Sequence, residues 1–147
     1  MRNIKKISAL DTYSVRHSVL REGKPIASCQ FDGDDLTATH HFGYFLNNKI
    51  VGIISIFKNN NSIFASESQY QIRGMAVLLE HQKKGIGETL VLFSEDFIKK
   101  MAIPIIWFNA RTSAVGFYKK LDYQVVGIPF EIEDVGEHSL MFKKNVI

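Results

Sequence analysis

The sequence has few of the residues that stabilise secreted proteins and no segment suited to crossing a membrane. It contains a single cysteine, Cys29, so no internal disulfide can form, which fits a reducing compartment. The basic start, with Arg2, Lys5 and Lys6, is not followed by an apolar run, and this argues against a signal peptide. No apolar stretch approaches the ~18 residues of a membrane span. We therefore expect a soluble, cytoplasmic protein with no membrane partner.

An excess of charge of one sign is also missing. The formal net charge is +3, which suits an anionic ligand but is too small to indicate nucleic acid as a partner. There are no internal repeats and no low-complexity segments. A length of 147 residues with 46% hydrophobic residues predicts one globular domain over residues 1–147. We expect no metal site, and a homodimer stays open as the assembly.

Local patterns predict an α+β (α/β) fold, with a mixed sheet of six or seven strands and three or four helices. The predicted strands cover residues 4–7, 37–46, 49–57, 69–78, 104–108, 123–132 and 138–143. The predicted helices cover residues 12–20, with Asp11 as the cap, then 85–101, and then a stretch from Thr112 or Ser113 to Leu121. The long loop over residues 21–35 is expected to form a variable wall of a substrate site.

The strand over residues 69–78 changes its alternation midway. Tyr70 and Ile72 share one parity, whereas Met75 and Val77 share the other. Because the side-chain period of a strand is two residues, a change of parity indicates an inserted residue. Gly74 stands at the change, so a β-bulge is predicted there, with backbone groups left free for an extended ligand.

The next stretch is a glycine loop at a strand-to-helix turn. Gly85 and Gly87 have no Cβ, so an anion can approach the unpaired N–H groups at the start of the helix. Lys83 and Lys84 add positive charge beside them. Glu88 and the residue after it replace the Lys-Ser/Thr pair of a P-loop, so a nucleoside triphosphate site is disfavoured. The loop predicts a phosphate or pyrophosphate site.

Three features in order resemble the GNAT acetyltransferase superfamily, most clearly over residues 50–142. They are the bulged strand, the pattern Gln82-x-x-Gly85-x-Gly87, and Asn109 followed by Phe117 and its neighbours. The resemblance implies a mostly antiparallel sheet with a splayed central pair, and transfer of an acetyl group from acetyl-CoA to an amine. Two residues differ from the family pattern. Leu79 stands where the family often has proline, and Asp122 stands where a glycine commonly ends the helix.

The resemblance also implies a role for each matched position. Backbone groups of the bulged strand would bind the pantetheine arm, the loop N–H groups would bind the pyrophosphate, and the Asn109 side chain would contact the pantetheine. Phe117 would lie along the cofactor, and Tyr118 would point at the thioester sulfur. The implied cofactor-binding residues are Met75, Ala76, Val77, Gln82, Lys83, Lys84, Gly85, Ile86, Gly87, Asn109, Ala114, Phe117 and Tyr118.

Together with the resemblance, the chemistry of acetyl transfer implies further roles. The Val77 N–H would stabilise the oxyanion, and Tyr118 would protonate the departing thiolate. For the general base we consider Glu67 and His138 first, and then Glu80, Asp34, Asp35, His40 and His41. A water chain or an amine that is already neutral serves equally well. The acceptor stays open, and a non-catalytic acyl-CoA-binding module of the same fold is the alternative.

Overall fold

The computed structural model describes residues 3–145. Within these residues the seven strands are β1 (Ile4–Ile7), β2 (His40–Leu46), β3 (Lys49–Lys58), β4 (Gln69–Val77), β5 (Ile105–Arg111), β6 (Gln124–Ile132) and β7 (Gly136–Lys144). The α-helices are α1 (Tyr13–Val15), α2 (Ile86–Lys100) and α3 (Val115–Lys119). Short 3₁₀ turns cover Leu10–Thr12, Ile26–Cys29, Leu79–His81 and Thr112–Ala114, and a π-helical turn covers Arg16–Leu20.

The strands form one sheet in the order β1-β2-β3-β4-β5-β7-β6. Every neighbouring pair is antiparallel except β4 and β5, which are parallel and connected through α2. The β2–β3 hairpin turns at Asn47 and Asn48, which both have positive φ, as two-residue hairpins of this type require. The predicted α+β fold with a mixed, mostly antiparallel sheet is confirmed.

The centre of the sheet is splayed. Strands β4 and β5 pair only where residues 69–71 lie beside residues 105–107. Beyond those three pairs the two strands separate, while β5 stays paired with β7 along its whole length. A gap therefore opens between the carboxyl ends of β4 and β5.

The bulge predicted in β4 is confirmed. Ile53 on β3 pairs with Ala76 and Ser55 pairs with Arg73, so one residue of β3 faces two residues of β4. One of those two is Gly74, with φ +67°. That left-handed conformation favours glycine and gives the extra residue room to kink the strand at the edge of the gap.

Helix α2 covers one face of the sheet with the apolar side that the sequence predicts. Ile86, Leu90 and Ile98 are buried, and Phe42 of β2 packs edge-on against two phenylalanines of the helix. Since each fully buried aliphatic side chain contributes about 1.5–3 kcal/mol, this face fixes where α2 begins relative to β4. The packing thus sets the position of the glycine loop.

Two predicted caps are wrong. Ser8 caps the first helical stretch, because its Oγ accepts from the Asp11 N–H while the Asp11 carboxylate accepts from the Ser8 N–H, each at 3.1 Å. Thr112 does not cap the last helix either; its hydroxyl donates to Glu137 at 3.0 Å. The helix that ends near Asp122 does use a positive φ of 72° there, as the sequence suggested for an aspartate in place of glycine.

Candidate functional site

A cavity of about 380 Å³ lies where the gap in the sheet meets the start of α2. It is bounded by the carboxyl end of β4, the glycine loop and α3. Its lining residues are Val19, Met75, Ala76, Val77, His81, Gln82, Lys83, Gly85, Ile86, Gly87, Glu88, Ala114 and Phe117. The structure therefore brings most of the predicted cofactor-binding residues to one cavity.

The glycine loop presents a run of free backbone donors. The first N–H of this region with a backbone acceptor is that of Thr89, which donates to the Gly85 carbonyl at 3.0 Å. Within the described residues, no backbone acceptor serves the N–H groups of residues 83–88. Gly85 has φ +84° and Lys83 has φ +63°, so the chain curls tightly just before α2. Such a curl at a helix N-terminus is a concave anion-binding surface.

The unpaired edge of β4 faces the gap. The Leu78 N–H donates to Val51 on β3 at 2.9 Å, so by strand alternation the Val77 N–H points to the other side, toward β5. On that side the Gln82 side chain donates to the Val77 carbonyl at 2.9 Å. This bond fixes the glycine loop to the strand and leaves the Val77 N–H free.

Tyr118 lies behind Phe117 and does not itself line the cavity. Its ring is buried, with ring centroids 4.3 Å from Phe108 and 5.0 Å from Phe117. Burial raises the pKa of Tyr118 to about 12, because the phenolate would lose its hydration. The hydroxyl therefore stays protonated at neutral pH and is able to donate a hydrogen bond.

The other predicted cofactor residues divide into two groups. Ala114 and Lys83 line the cavity, whereas Lys84 is exposed outside it and Asn109 is exposed on β5. Sequence reasoning missed Val19, because nothing local links the π-helical turn to a cavity formed by β4 and α2. It also missed His81, whose Nδ1 is enclosed without a partner in the described chain.

Two predicted general bases are engaged in a buried network. The Asp34 carboxylate accepts from both Arg16 guanidinium nitrogens, at 2.7 and 3.0 Å. Burial raises the pKa of Asp34, but the hydrogen bonds from Arg16 and from the Phe31 N–H outweigh it and the pKa ends below its usual value. His41 Nε2 donates to the Asp34 carbonyl at 3.0 Å, and Nδ1 bonds the Ser55 hydroxyl at 2.6 Å. Asp34 is buried against Arg16 and both ring nitrogens of His41 are bonded, so neither residue is placed to take a proton from a substrate.

Two further candidate bases lie at opposite ends of the central strands. His138 on β7 pairs with Arg111, the last residue of β5, at the open end of the gap. Its Nδ1 donates to the Gly136 carbonyl at 2.7 Å, which leaves Nε2 uncommitted, but the ring is buried and does not line the cavity. Glu67 is exposed just before β4, beside the end where the strands are paired, so the structure does not bring it to the gap.

The remaining candidate bases do not line the cavity. Glu80 and Asp35 are exposed, and His40 packs against Phe97 of α2 with ring centroids 4.7 Å apart. Burial lowers the pKa of His40, with the nearby Lys6 adding to the shift. In residues 3–145 no group of three or more His, Cys, Asp or Glu side chains could hold a metal ion. The same residues include no helix long and apolar enough to cross a bilayer.

Comparisons with known proteins agree with this geometry. The model of the acetyltransferase (GNAT) family matches residues 7–123. The chain is 32% identical over 143 residues to the protein named Uncharacterized N-acetyltransferase YitI of Bacillus subtilis (strain 168), covering 97% of this chain and 96% of that protein.

Solved structures share the fold at low identity. One is an aminoglycoside 6'-N-acetyltransferase complexed with coenzyme A, with a TM-score of 0.76, 13% identity and 96% of each chain covered. Another is the PaiA N-acetyltransferase of Thermoplasma acidophilum in complex with coenzyme A, with a TM-score of 0.70, 18% identity, and 97% of this chain and 98% of that chain covered.

Proposed function

The chain belongs to the acetyltransferase (GNAT) family, and from that premise we propose that it moves an acetyl group from acetyl-CoA to an amine by direct attack in a ternary complex. One observation carries the proposal. The run of free N–H groups over residues 83–88 meets the unpaired edge of β4 at one cavity. A pyrophosphate needs the first feature and an extended pantetheine arm needs the second. The reaction takes place in the cytoplasm, in a single domain.

The pyrophosphate binds across the first turn of α2. Free N–H groups and the positive end of the helix supply the attraction, and Lys83 and Lys84 add charge that salt screens. The pantetheine arm then enters the gap as an added strand beside Met75 and Val77. Because Gln82 already occupies the Val77 carbonyl, the free group of Val77 in the gap is its N–H.

The Val77 N–H is the donor for the tetrahedral oxyanion. It is fixed by the ladder to β3 and points into the gap before the substrate arrives, so little reorganisation is needed in the transition state. Holding the thioester and the amine together supplies much of the remaining acceleration.

Tyr118 acts on the leaving sulfur as a hydrogen-bond donor. A free thiol has a pKa of about 8.5, so complete proton transfer from a tyrosine with a pKa of about 12 runs uphill by roughly 3.5 units. A hydrogen bond that strengthens as the sulfur gains charge avoids that cost. For Tyr118 we therefore propose hydrogen-bond donation to the sulfur in place of the complete proton transfer that was expected from the sequence.

The amine reaches the thioester in its neutral form or loses its proton through water. Among the side chains considered, His138 is the one that combines a place at the open end of the gap with an uncommitted ring nitrogen. We assign it the final proton acceptor.

One observation favours a non-catalytic acyl-CoA-binding module as the second candidate. Tyr118 is buried behind Phe117, away from the cavity lining. A binding module requires the glycine loop and the gap but no group at the sulfur.

Two measurements separate the candidates. A thermal-shift panel of acetyl-CoA, CoA, ATP and NAD tests the cofactor, and we expect stabilisation by the first two alone. An amine screen read by release of free thiol tests catalysis. Stabilisation without thiol release from any amine supports the binding module, and stabilisation by ATP or NAD instead would contradict both readings.

A further inference from the structure

Three arginines surround one aromatic ring beside the bulge. The guanidinium carbons of Arg16, Arg73 and Arg21 lie 3.9, 4.9 and 5.1 Å from the centre of the Phe31 ring. We call these four residues the arginine cluster. Its members come from the first helical region, from the loop over residues 21–35 and from β4, so the fold assembles the cluster from distant parts of the chain.

One arginine of the cluster is paired with a carboxylate and serves the structure, while its Nε has no hydrogen-bond partner among the described residues. Arg16 is completely buried, with its charge balanced by Asp34, and it also donates to the Cys29 carbonyl at 2.8 Å and to the Ser55 hydroxyl at 3.0 Å. It holds Phe31 in place through the stacked ring. The ring is therefore a rigid platform.

The other two arginines have no counterion of that kind. Within residues 3–145, no carboxylate lies within 4.0 Å of Arg73 or Arg21. Arg73 is half-buried beside the rings of Phe31 and Phe57. Burial lowers its pKa and the charge of Arg16 adds to the shift, while the more distant carboxylates of Asp34 and Asp32 oppose it. A half-buried guanidinium without a partner is costly, and a bound anion removes that cost.

The cluster lies next to the reaction centre but on the other face of the sheet from α2. A Cβ on Gly52 of β3 would meet Ile86 and Leu90 of α2. Ser55, three residues on, faces the opposite side, and its partner Arg73 shares that face.

The same cluster touches the bulge itself. Arg73 immediately precedes Gly74, and a Cβ on Gly74 would sit 3.0 Å from the Phe31 ring. Arg73 and Val77 pair with Ser55 and Gly52, which are three residues apart on β3. The bulged strand therefore spans only about 10 Å between Arg73 and Val77. A small molecule can therefore contact both Arg73 and a thioester held at the Val77 N–H.

We propose that Arg73 and Arg21 form an anion subsite for the acceptor, so that the amine acetylated by this protein carries an anionic oxygen group, a carboxylate or a phosphate. This inference rests on the proposed function. The Arg73 guanidinium carbon lies 4.9 Å from the centre of the Phe31 ring and 5.1 Å from that of the Phe57 ring, so both rings partly dehydrate it. A planar fork in that setting suits bidentate recognition of such oxygens.

The test is a matched series of acceptors, assayed by thiol release. Each amino acid is offered as the free acid, as its primary amide, as the amine without the carboxyl group, and as the aminophosphonate analogue. Wild type is compared with Arg73→Gln, with Arg21→Gln, and with Lys49→Gln, which removes an exposed charge at the β2–β3 turn. The acetyl-CoA affinity and the unfolding temperature of each variant are measured in parallel.

We expect kcat/KM to favour the anionic members over the amide and the plain amine by at least about 10-fold. Arg73→Gln should lose about 10- to 100-fold on the anionic members alone, mainly through KM, with a smaller loss in Arg21→Gln and none in Lys49→Gln. Whichever of the carboxylate and phosphonate acceptors has the higher kcat/KM identifies the preferred anionic group.

Three results would overturn the subsite. The first is an equal kcat/KM for charged and neutral amines. The second is a loss of kcat/KM in Arg73→Gln that is the same for every acceptor. The third is binding of acetyl-CoA with no turnover of any acceptor in the series. In the first two results the proposed acetyl transfer stands, whereas the third result favours the non-catalytic binding module. Failure of acetyl-CoA to bind any variant, wild type included, would instead defeat the proposed function.

Discussion

The substitution Gly87→Ala, which adds one methyl group, should weaken binding of the cofactor without destabilising the fold. Gly87 lies in the first turn of α2 and lines the cavity, and it is not among the residues with positive φ. A Cβ built there lies 3.5 Å from Cε and Sδ of Met75 and 3.7 Å from Cζ of Phe117, which is ordinary van der Waals contact. The fold should accept alanine, and the better helix propensity stabilises it by up to about 1 kcal/mol.

We expect the added methyl group of Gly87→Ala to lower the affinity for the cofactor. Met75 and Phe117 both line the cavity, so a methyl group that already touches both leaves no space for a ligand atom between them. Forcing an extra methyl-sized group into a packed contact costs about 1–3 kcal/mol, which corresponds to roughly 5- to 150-fold in affinity. Valine adds two more carbons, and we expect Gly87→Val to abolish binding.

Isothermal titration with acetyl-CoA measures the affinity, and a thermal unfolding curve of the same preparation measures the unfolding temperature. The matched control is Gly116→Ala in α3, where an added Cβ meets nothing within 4 Å and the site lies outside the cavity lining. We expect both alanine variants to unfold at or above the wild-type temperature, and only Gly87→Ala to lose affinity. Wild-type affinity in a folded Gly87→Val protein would refute the placement of the cofactor.

Three more predictions concern buried groups. Tyr118→Phe should lower kcat by about 10- to 100-fold with acetyl-CoA affinity nearly unchanged, and a wild-type rate with chemistry rate-limiting would exclude Tyr118 from the reaction. Tyr118 should account for a fall in stability of about 2 kcal/mol as pH rises from about 10 to 12, because the unfolded residue loses its proton there while the folded residue, with a pKa of about 12, largely keeps it. Urea unfolding across that range should show a correspondingly smaller fall in Tyr118→Phe. Asp34→Asn should cost about 3–5 kcal/mol, since it leaves Arg16 charged and buried without a counterion, and urea midpoints equal to wild type would contradict that account.

Local signals in the sequence predicted the parts of the site that are contiguous in the chain. The parity change at Gly74 predicted the bulge, and the spacing of Gly85 and Gly87 predicted the loop that begins α2. These features depend on conformational limits of neighbouring residues, so a short window contains the whole cause.

The parts assembled from distant residues were not predicted. Asp34 and His41 are typical proton acceptors by type, but their hydrogen-bonding capacity is taken up by Arg16 and Ser55, which are 18 and 14 residues away in the chain. Periodicity does not encode such pairings, because any carboxylate near any arginine has the same local pattern. The arginine cluster is hidden for the same reason, since its members are brought together only when the first helical region and β4 pack on one face.

The short parallel ladder between β4 and β5 has a mechanical consequence. Three residue pairs connect a four-stranded half-sheet, β1 to β4, to a three-stranded half, β5 to β7, and the rest of that seam lacks cross-strand hydrogen bonds. In the proposed binding mode, a pantetheine arm lying in the seam would bond to the edge of one half and fill the space beside the other, and would thus complete a sheet that the polypeptide leaves interrupted. We therefore expect the two halves to change their relative stiffness once in every catalytic cycle, with amide hydrogen exchange at residues 75–77 slowed while the cofactor is bound and restored when CoA departs.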